Sequence, residues 1–114
     1  MDFRIKQNDT LPDLHLQLTD SGGFPFDLRY TAGVRMRMQK RGALYAKIGR
    51  FVTVTDDVGG RIKHVWQAGD TDEVGVFRTE FEATDSLGRI QTYPHDDYYL
   101  IEVVDDLTPN LSAV

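Results

Sequence analysis

Apolar and polar residues alternate along most of the chain, which is the pattern of β-strands with one buried and one exposed face. The longest run, over residues 76–84, places Phe77 and Phe81 on one side and Arg78 on the other. Almost nowhere does an apolar pattern with helical spacing persist for three turns. We therefore expect an all-β protein with almost no helix.

Short alternating runs are separated by clusters of turn-forming residues, such as the segment 56–60 with its paired aspartates and paired glycines. The expected strands begin near residues 3, 14, 34, 44, 51, 62, 76, 89 and 98. The runs 44–48 and 51–55 are either two strands or one strand interrupted at Gly49. Eight or nine strands at this spacing predict one domain over residues 1–105, an antiparallel β-sandwich.

The last residues, 106–114, differ in character from the rest of the chain. Pro109 and the preceding aspartates disfavour continuation of the last strand. Leu107, Leu111 and Val114 nevertheless give this segment apolar contact groups. We expect a C-terminal arm whose three apolar residues contact a neighbouring subunit.

Charge and composition narrow the range of partners. The 114 residues contain 13 Lys+Arg and 18 Asp+Glu, for a net charge of −5, and the basic residues are scattered. Nucleic-acid binders concentrate basic residues on one face, so we expect no nucleic-acid partner. No segment approaches the roughly 20 apolar residues of a membrane span, so we expect no membrane partner. The chain has no cysteine, which removes disulfides and thiolate metal sites.

Several short segments in a fixed order carry a family resemblance. They are Asp2-Phe3-Arg4-Ile5-Lys6, Phe26-Asp27-Leu28, Val34-Arg35-Met36-Arg37-Met38, Gly60-Arg61-Ile62, Ala68-Gly69-Asp70-Thr71-Asp72, Gly75-Val76-Phe77-Arg78 and Tyr93-Pro94. The chain resembles, over residues 2 to about 105, the immunoglobulin-like N-terminal domain of phage baseplate upper proteins. The resemblance implies an immunoglobulin-like sandwich and a structural protein of the tailed-phage virion, made in the host cytoplasm.

The same resemblance implies no catalytic residues and no cofactor. It implies other virion structural proteins as partners, with several copies in a symmetric assembly. The longer family members continue into a coiled coil or fibre, whereas this sequence stops at Val114. A place in the tail, baseplate, neck or capsid is therefore left open.

Aspartates are numerous in the predicted loops. If successive strands run up and down, the loops 7–13, 67–75 and 94–97 fall at one end of the sandwich. The acidic residues gathered there would be Asp9, Asp13, Asp70, Asp72, Glu73, Asp96 and Asp97, and the calcium candidates among them are Asp9, Asp70, Asp72, Asp96 and Asp97. Calcium prefers such oxygen ligands, but aspartate also caps turns through its own backbone hydrogen bonds. The turn interpretation is favoured, because no Asp-x-Asp-x-Asp-Gly loop is present, and we expect no metal.

The aromatic residues offer a second hypothesis for function. Trp66 is expected in the core, with Phe77 or Phe81 as a neighbour. An alternative function is a carbohydrate-binding or host-adhesion module, assisted by calcium, and this requires Tyr30, Tyr93 and Tyr98 to form one exposed patch. The three histidines are scattered, with His64 at the core or its rim, and no Ser/His/Asp order appears. We therefore expect no enzymatic activity.

Arginines on the outward positions of the strands are the remaining candidates for function. Arg35 and Arg37 alternate with apolar residues on one predicted strand, and Arg78 does so on another. The planar guanidinium favours arginine at protein interfaces. We interpret these three residues as contacts with neighbouring virion subunits.

Overall fold

The computed structural model describes residues 2–107. This part of the chain contains nine strands and no helix. The all-β expectation is confirmed for this part of the chain. The strands are β1 (Phe3–Lys6), β2 (Leu14–Gln17), β3 (Thr31–Lys40), β4 (Ile48–Phe51), β5 (Thr53–Asp56), β6 (Arg61–His64), β7 (Gly75–Asp85), β8 (Ile90–Tyr93) and β9 (Tyr99–Val104).

The strands form two sheets. The larger sheet has the order β1-β9-β7-β3-β4, and the smaller has the order β2-β6-β5. Strands β3 and β7 pair over nearly their whole length and form the centre of the larger sheet. The other edge of β7 is shared, because β9 pairs with its first half and β8 with its second half.

Two predictions about strand arrangement are wrong. The sheet is not wholly antiparallel, because β1 pairs with β9 in parallel, with Phe3 opposite Ile101. The run 44–48 is not a strand, since Leu44 and Tyr45 lie in an exposed loop and Gly49 lies inside β4. The open question about residues 44–55 is settled as two strands that belong to different sheets.

One continuous core lies between the two sheets, which is the arrangement of a β-sandwich. Alternation places the buried side chains of β7 on its inner face, as predicted. Trp66 is buried at 3% exposure, also as predicted. Its ring stacks on Phe3 at 5.8 Å and meets His64 edge-on at 4.6 Å. The residues of the core are Ile5, Leu14, Leu18, Phe26, Leu28, Val34, Met36, Met38, Ile48, Ile62, Trp66, Phe77, Phe81, Ala83, Ile101 and Val103.

The turn before β6 depends on the absence of a side chain at Gly60. Its φ of 65° lies in the left-handed region that favours glycine. A Cβ there would lie 2.8 Å from the Leu18 carbonyl oxygen and 2.9 Å from the Phe26 nitrogen. These two residues belong to the segment that leads out of β2, so Gly60 sets how closely this segment approaches the β5–β6 turn.

Replacing Gly60 by alanine should therefore destabilise the protein more than the same change at Gly42. Gly42 has a φ of 85° but no atom within 4 Å of a Cβ. Gly42→Ala should cost about 1 kcal/mol for the left-handed backbone alone, and Gly60→Ala should cost several-fold more because of the backbone contacts. Urea denaturation of both variants measures the difference. Equal losses would contradict the close approach at Gly60.

Candidate interaction surfaces

The outer face of the larger sheet carries the predicted arginines. Arg35 and Arg37 on β3 point outward, between buried neighbours. The Arg35 guanidinium lies over the Phe51 ring at 5.0 Å, and the Arg37 Nη2 lies 3.4 Å from a carboxylate oxygen of Glu82. Arg78 on β7 lies over the Tyr98 ring at 4.9 Å. The structure thus places all three arginines on one surface of the same sheet.

Acidic residues of β7 share this surface, and the sequence alone did not connect them with the arginines. Arg35 pairs in register with Glu82, and Arg37 with Glu80. At these two pairs of positions, the outward side chain of β3 is therefore basic and that of β7 is acidic. Alternation placed each set on an outward face, but only the register of β3 against β7 makes them neighbours.

A buried ionic cluster lies at one end of the sandwich, around the carboxylate of Asp70. Asp70 is 6% exposed. Its Oδ2 accepts hydrogen bonds from an Nη2 of Arg50 on β4 and from the backbone nitrogen of Gln67, the latter at 2.8 Å. The Nε2 of His64 on β6 lies 3.5 Å from the same oxygen. A buried charge requires such partners, so this carboxylate acts as a structural group.

Residues next to Asp70 attach its loop to two other segments. The Thr71 hydroxyl donates to the Asp9 carbonyl at 2.8 Å, and the Thr71 carbonyl accepts from the Asn8 nitrogen at 2.9 Å. The Asp72 carboxylate pairs with the Lys47 Nζ at 2.6 Å. The loops 7–13 and 67–75 therefore lie together, as predicted.

The loop 94–97 does not join them, and that part of the prediction is wrong. Val103 of β9 pairs with Gly75, whereas Tyr99 pairs with Thr79. The loop that precedes Tyr99 is therefore displaced by about 13 Å along β7 from the loop that precedes Gly75. Asp96 and Asp97 lie in this displaced loop. Within residues 2–107 no group of three or more acidic or histidine side chains is placed to hold a metal ion.

Most other loop aspartates organise turns through backbone hydrogen bonds, which was the favoured interpretation. The Asp85 carboxylate accepts from the nitrogens of Leu87 and Arg89. The Asp20 carboxylate accepts from the nitrogens of Gly22 and Phe24. These acceptors replace the partners that backbone groups lose where the chain turns.

The three tyrosines of the carbohydrate hypothesis are not brought together. Tyr30 is 70% exposed, at the end of the sandwich where its carbonyl accepts from the Ser86 nitrogen. Tyr93 is partly buried against Phe81 of the core. Tyr98 packs on Arg78, which is about 25 Å from Ser86 along β7. They therefore do not form the single exposed patch that this hypothesis requires.

The end of the sandwich near Tyr30 contains a shallow depression of about 460 Å³. It lies between the β2–β3 connection and the β7–β8 turn. The exposed side chains of Leu87 and Ile90 border it, together with Tyr30. Two ion pairs between residues close in sequence, Asp27 with Arg29 and Asp85 with Arg89, lie beside it. Sequence reasoning missed this surface because its residues belong to separate loops.

The C-terminal contact residues are described only in part. Leu107 is 86% exposed. Leu111 and Val114 lie outside the described residues. Within residues 2–107 there is no helix of the length and apolar character needed to cross a membrane.

Comparison with known proteins adds no relative. No protein-family model, curated protein or solved structure matches this chain.

The burial of His64 makes stability depend on pH. Burial lowers the pKa of His64 below its ordinary value of 6.5, and the positive charge of Arg50 acts in the same direction, whereas Asp70 opposes the shift. As the pH falls, the unfolded chain therefore binds the proton first. The stabilisation from neutral His64 is fully present above about pH 6.5 and is lost as the pH falls through the folded-state pKa.

We expect the free energy of unfolding to decrease between about pH 7 and pH 5, and His64→Gln to flatten this dependence, because the glutamine does not titrate. Urea denaturation of the parent chain and of His64→Gln across this pH range measures the pH dependence of the free energy of unfolding. His15→Gln is the matched control, since His15 is exposed on β2. An unchanged slope in His64→Gln would show that another group is responsible.

Proposed function

We propose that this chain is a non-enzymatic structural protein of a tailed-phage virion, with an immunoglobulin-like sandwich that docks to neighbouring tail, baseplate or capsid subunits. The resemblance of its ordered segments to the baseplate upper protein domain supports the virion assignment. The strand order and the exposed apolar side chains of the described residues support the fold and the docking role.

The strand order supports the immunoglobulin-like topology. In variable-type immunoglobulin domains, one sheet contains strands G, F, C and C′ and the other contains B, E and D. Here β9-β7-β3-β4 and β2-β6-β5 have the corresponding chain order within each sheet. The pairing of β1 with β9 adds one parallel strand at the edge of the larger sheet.

The observation that carries the docking role is the exposure of large apolar side chains at both ends of the sandwich. Leu44 and Tyr45, between β3 and β4, are 87% and 83% exposed. Tyr30 and Leu87 lie at the opposite end, about 30 Å away along β7, and are 70% and 77% exposed. Exposed apolar groups that cluster at loop tips are typical of surfaces that contact another protein. A subunit held between neighbours has such contacts at each end.

Quantitative mass spectrometry of purified particles tests the proposal directly. The sample is a preparation of the phage that encodes this chain, banded by density and washed in high salt. We expect the chain to remain with the particles in a fixed ratio to the other tail proteins. Recovery only in the soluble fraction of the lysate would contradict a virion role.

A variant comparison links incorporation to the apolar ends. Leu44→Ser combined with Tyr45→Ser should reduce the number of copies per particle, since it removes an exposed apolar contact without touching the core. Val58→Ser is the control, because Val58 is also exposed, at 59%, but lies in the β5–β6 turn, at the end of the sandwich opposite the β3–β4 loop. Equal incorporation of the parent chain, the Leu44→Ser/Tyr45→Ser variant and Val58→Ser would exclude the β3–β4 loop as a docking element.

A further inference from the structure

The outer face of the larger sheet carries charges of opposite sign in two adjacent columns. Arg35 and Arg37 form the column on β3, and Glu82 and Glu80 form the column on β7. Each arginine is directly across from a glutamate, because β3 and β7 pair as Arg35 with Glu82 and Arg37 with Glu80. This register gives these four residues a pattern with two equal and opposite halves, and Arg78, the next outward residue of β7, is across from the uncharged Gln39.

The charged groups of this face keep free hydrogen-bonding capacity. The one ion pair between the two columns, from Arg37 to Glu82, is 3.4 Å long, and the Arg37 side chain is 52% exposed. Arg35 makes no ion pair within residues 2–107 and lies on the Phe51 ring instead. Each guanidinium has five N–H donors, so it can bind a carboxylate of another molecule without leaving its present partner.

The neighbouring positions leave the face open and partly apolar. Gly49 on β4 is directly across from Arg37, and no atom lies within 4 Å of the place a Cβ would take there. Gly33 precedes Arg35 in the β3 column, and the Phe51 ring lies against it. Phe51, at the end of β4, is 63% exposed on the same surface. Arginine together with aromatic residues is the composition that interfaces favour at their centres.

Symmetry determines which partner this pattern fits. A two-fold axis that runs along the strands, between β3 and β7, places the β3 column of one copy over the β7 column of the other. Arg35 then faces Glu82 of the second copy, and Arg37 faces Glu80. An axis across the strands instead places like charges over each other, which repel. Two sheets pack face to face at about 10 Å, a gap that the long arginine and glutamate side chains can bridge.

We propose that the outer face of the larger sheet binds a second copy of this chain, in a two-fold dimer held by reciprocal pairs between the β3 arginines and the β7 glutamates. The inference deepens the proposed structural function by naming one partner of the chain. It stands on the charge register, so a test in solution separates it from the question of incorporation into particles.

Charge reversal with complementation is the decisive experiment. The full chain and two double variants, Arg35→Glu with Arg37→Glu and Glu80→Arg with Glu82→Arg, are studied by sedimentation equilibrium at low salt. We expect the parent chain to form a dimer that weakens as salt is added. Each double variant should weaken the dimer at least about tenfold, because like charges then face each other across the interface. An equimolar mixture of the two variants should restore it as a heterodimer.

This design separates the specific pattern from net charge and from misfolding. The glutamate-to-arginine variant brings the net charge of −5 close to zero, so general repulsion would predict stronger association, whereas reciprocal pairing predicts weaker association. Restoration in the mixture requires both variants to be folded. Arg61→Glu with Lys63→Glu makes the same charge change as the arginine variant on the outward face of β6, and it should leave the dimer intact.

Three results would overturn the proposal. The first is a parent chain that remains monomeric at all concentrations and salt conditions. The second is a dimer that neither double variant weakens, which would place the contact on another surface. The third is a failure of the mixed variants to associate, which would show that the columns do not face each other.

Discussion

The carboxylate of Asp70 is the group on which the arrangement of the two sheets depends. A buried charge is tolerated only where it is paired and hydrogen-bonded. Here an Nη2 of Arg50 on β4 of the larger sheet donates to it, and the Nε2 of His64 on β6 of the smaller sheet lies 3.5 Å away without a hydrogen bond within residues 2–107. The loop that carries Asp70 is therefore hydrogen-bonded to the larger sheet and lies against the smaller sheet at one end of the sandwich. The backbone nitrogen of Gln67 completes the cluster and fixes the start of this loop.

This attachment determines the position of β7, since the loop leads directly into it. Thr71 joins the loop to residues 8 and 9, which follow β1, and Asp72 joins it to Lys47 before β4. The first half of β7 is then held between β9 and β3. The register of β7 against β3 brings the glutamates beside the arginines on the outer face. A buried ionic cluster at one end thus fixes the strand whose outward residues form the proposed interaction surface.

The sequence predicts those features that depend on local alternation. The two faces of β7, the burial of Trp66 and the outward arginines of β3 all follow from a period of two, because each side chain's face is set by its immediate neighbours. The turn role of the aspartates is predictable for the same reason, since Asp20 and Asp85 bond to nitrogens two to four residues away.

Features that depend on register between distant segments could not be predicted. The parallel pairing of β1 with β9 joins residues nearly one hundred positions apart. The displacement of Asp96 and Asp97 follows from where Tyr99 pairs along β7, which no local pattern specifies. Arg50, which donates a hydrogen bond to Asp70, lies twenty positions away on β4. The alternation along β4 indicates only that this arginine is half-buried. The reciprocal charge columns likewise depend on the register of β3 against β7, which no local pattern specifies.

Asp70 anchors one end of the sandwich, and the free energies of unfolding of two isosteric variants test this role most directly. Asp70→Asn removes the charge that accepts hydrogen bonds from Arg50 and from the Gln67 nitrogen in a buried site, and it should cost about 2 kcal/mol or more. Asp72→Asn removes a neighbouring ion pair whose carboxylate is 55% exposed, and it should cost less than about 1 kcal/mol. Denaturation in urea at neutral pH gives both values. Equal and small losses for the two variants would contradict the anchoring role of Asp70.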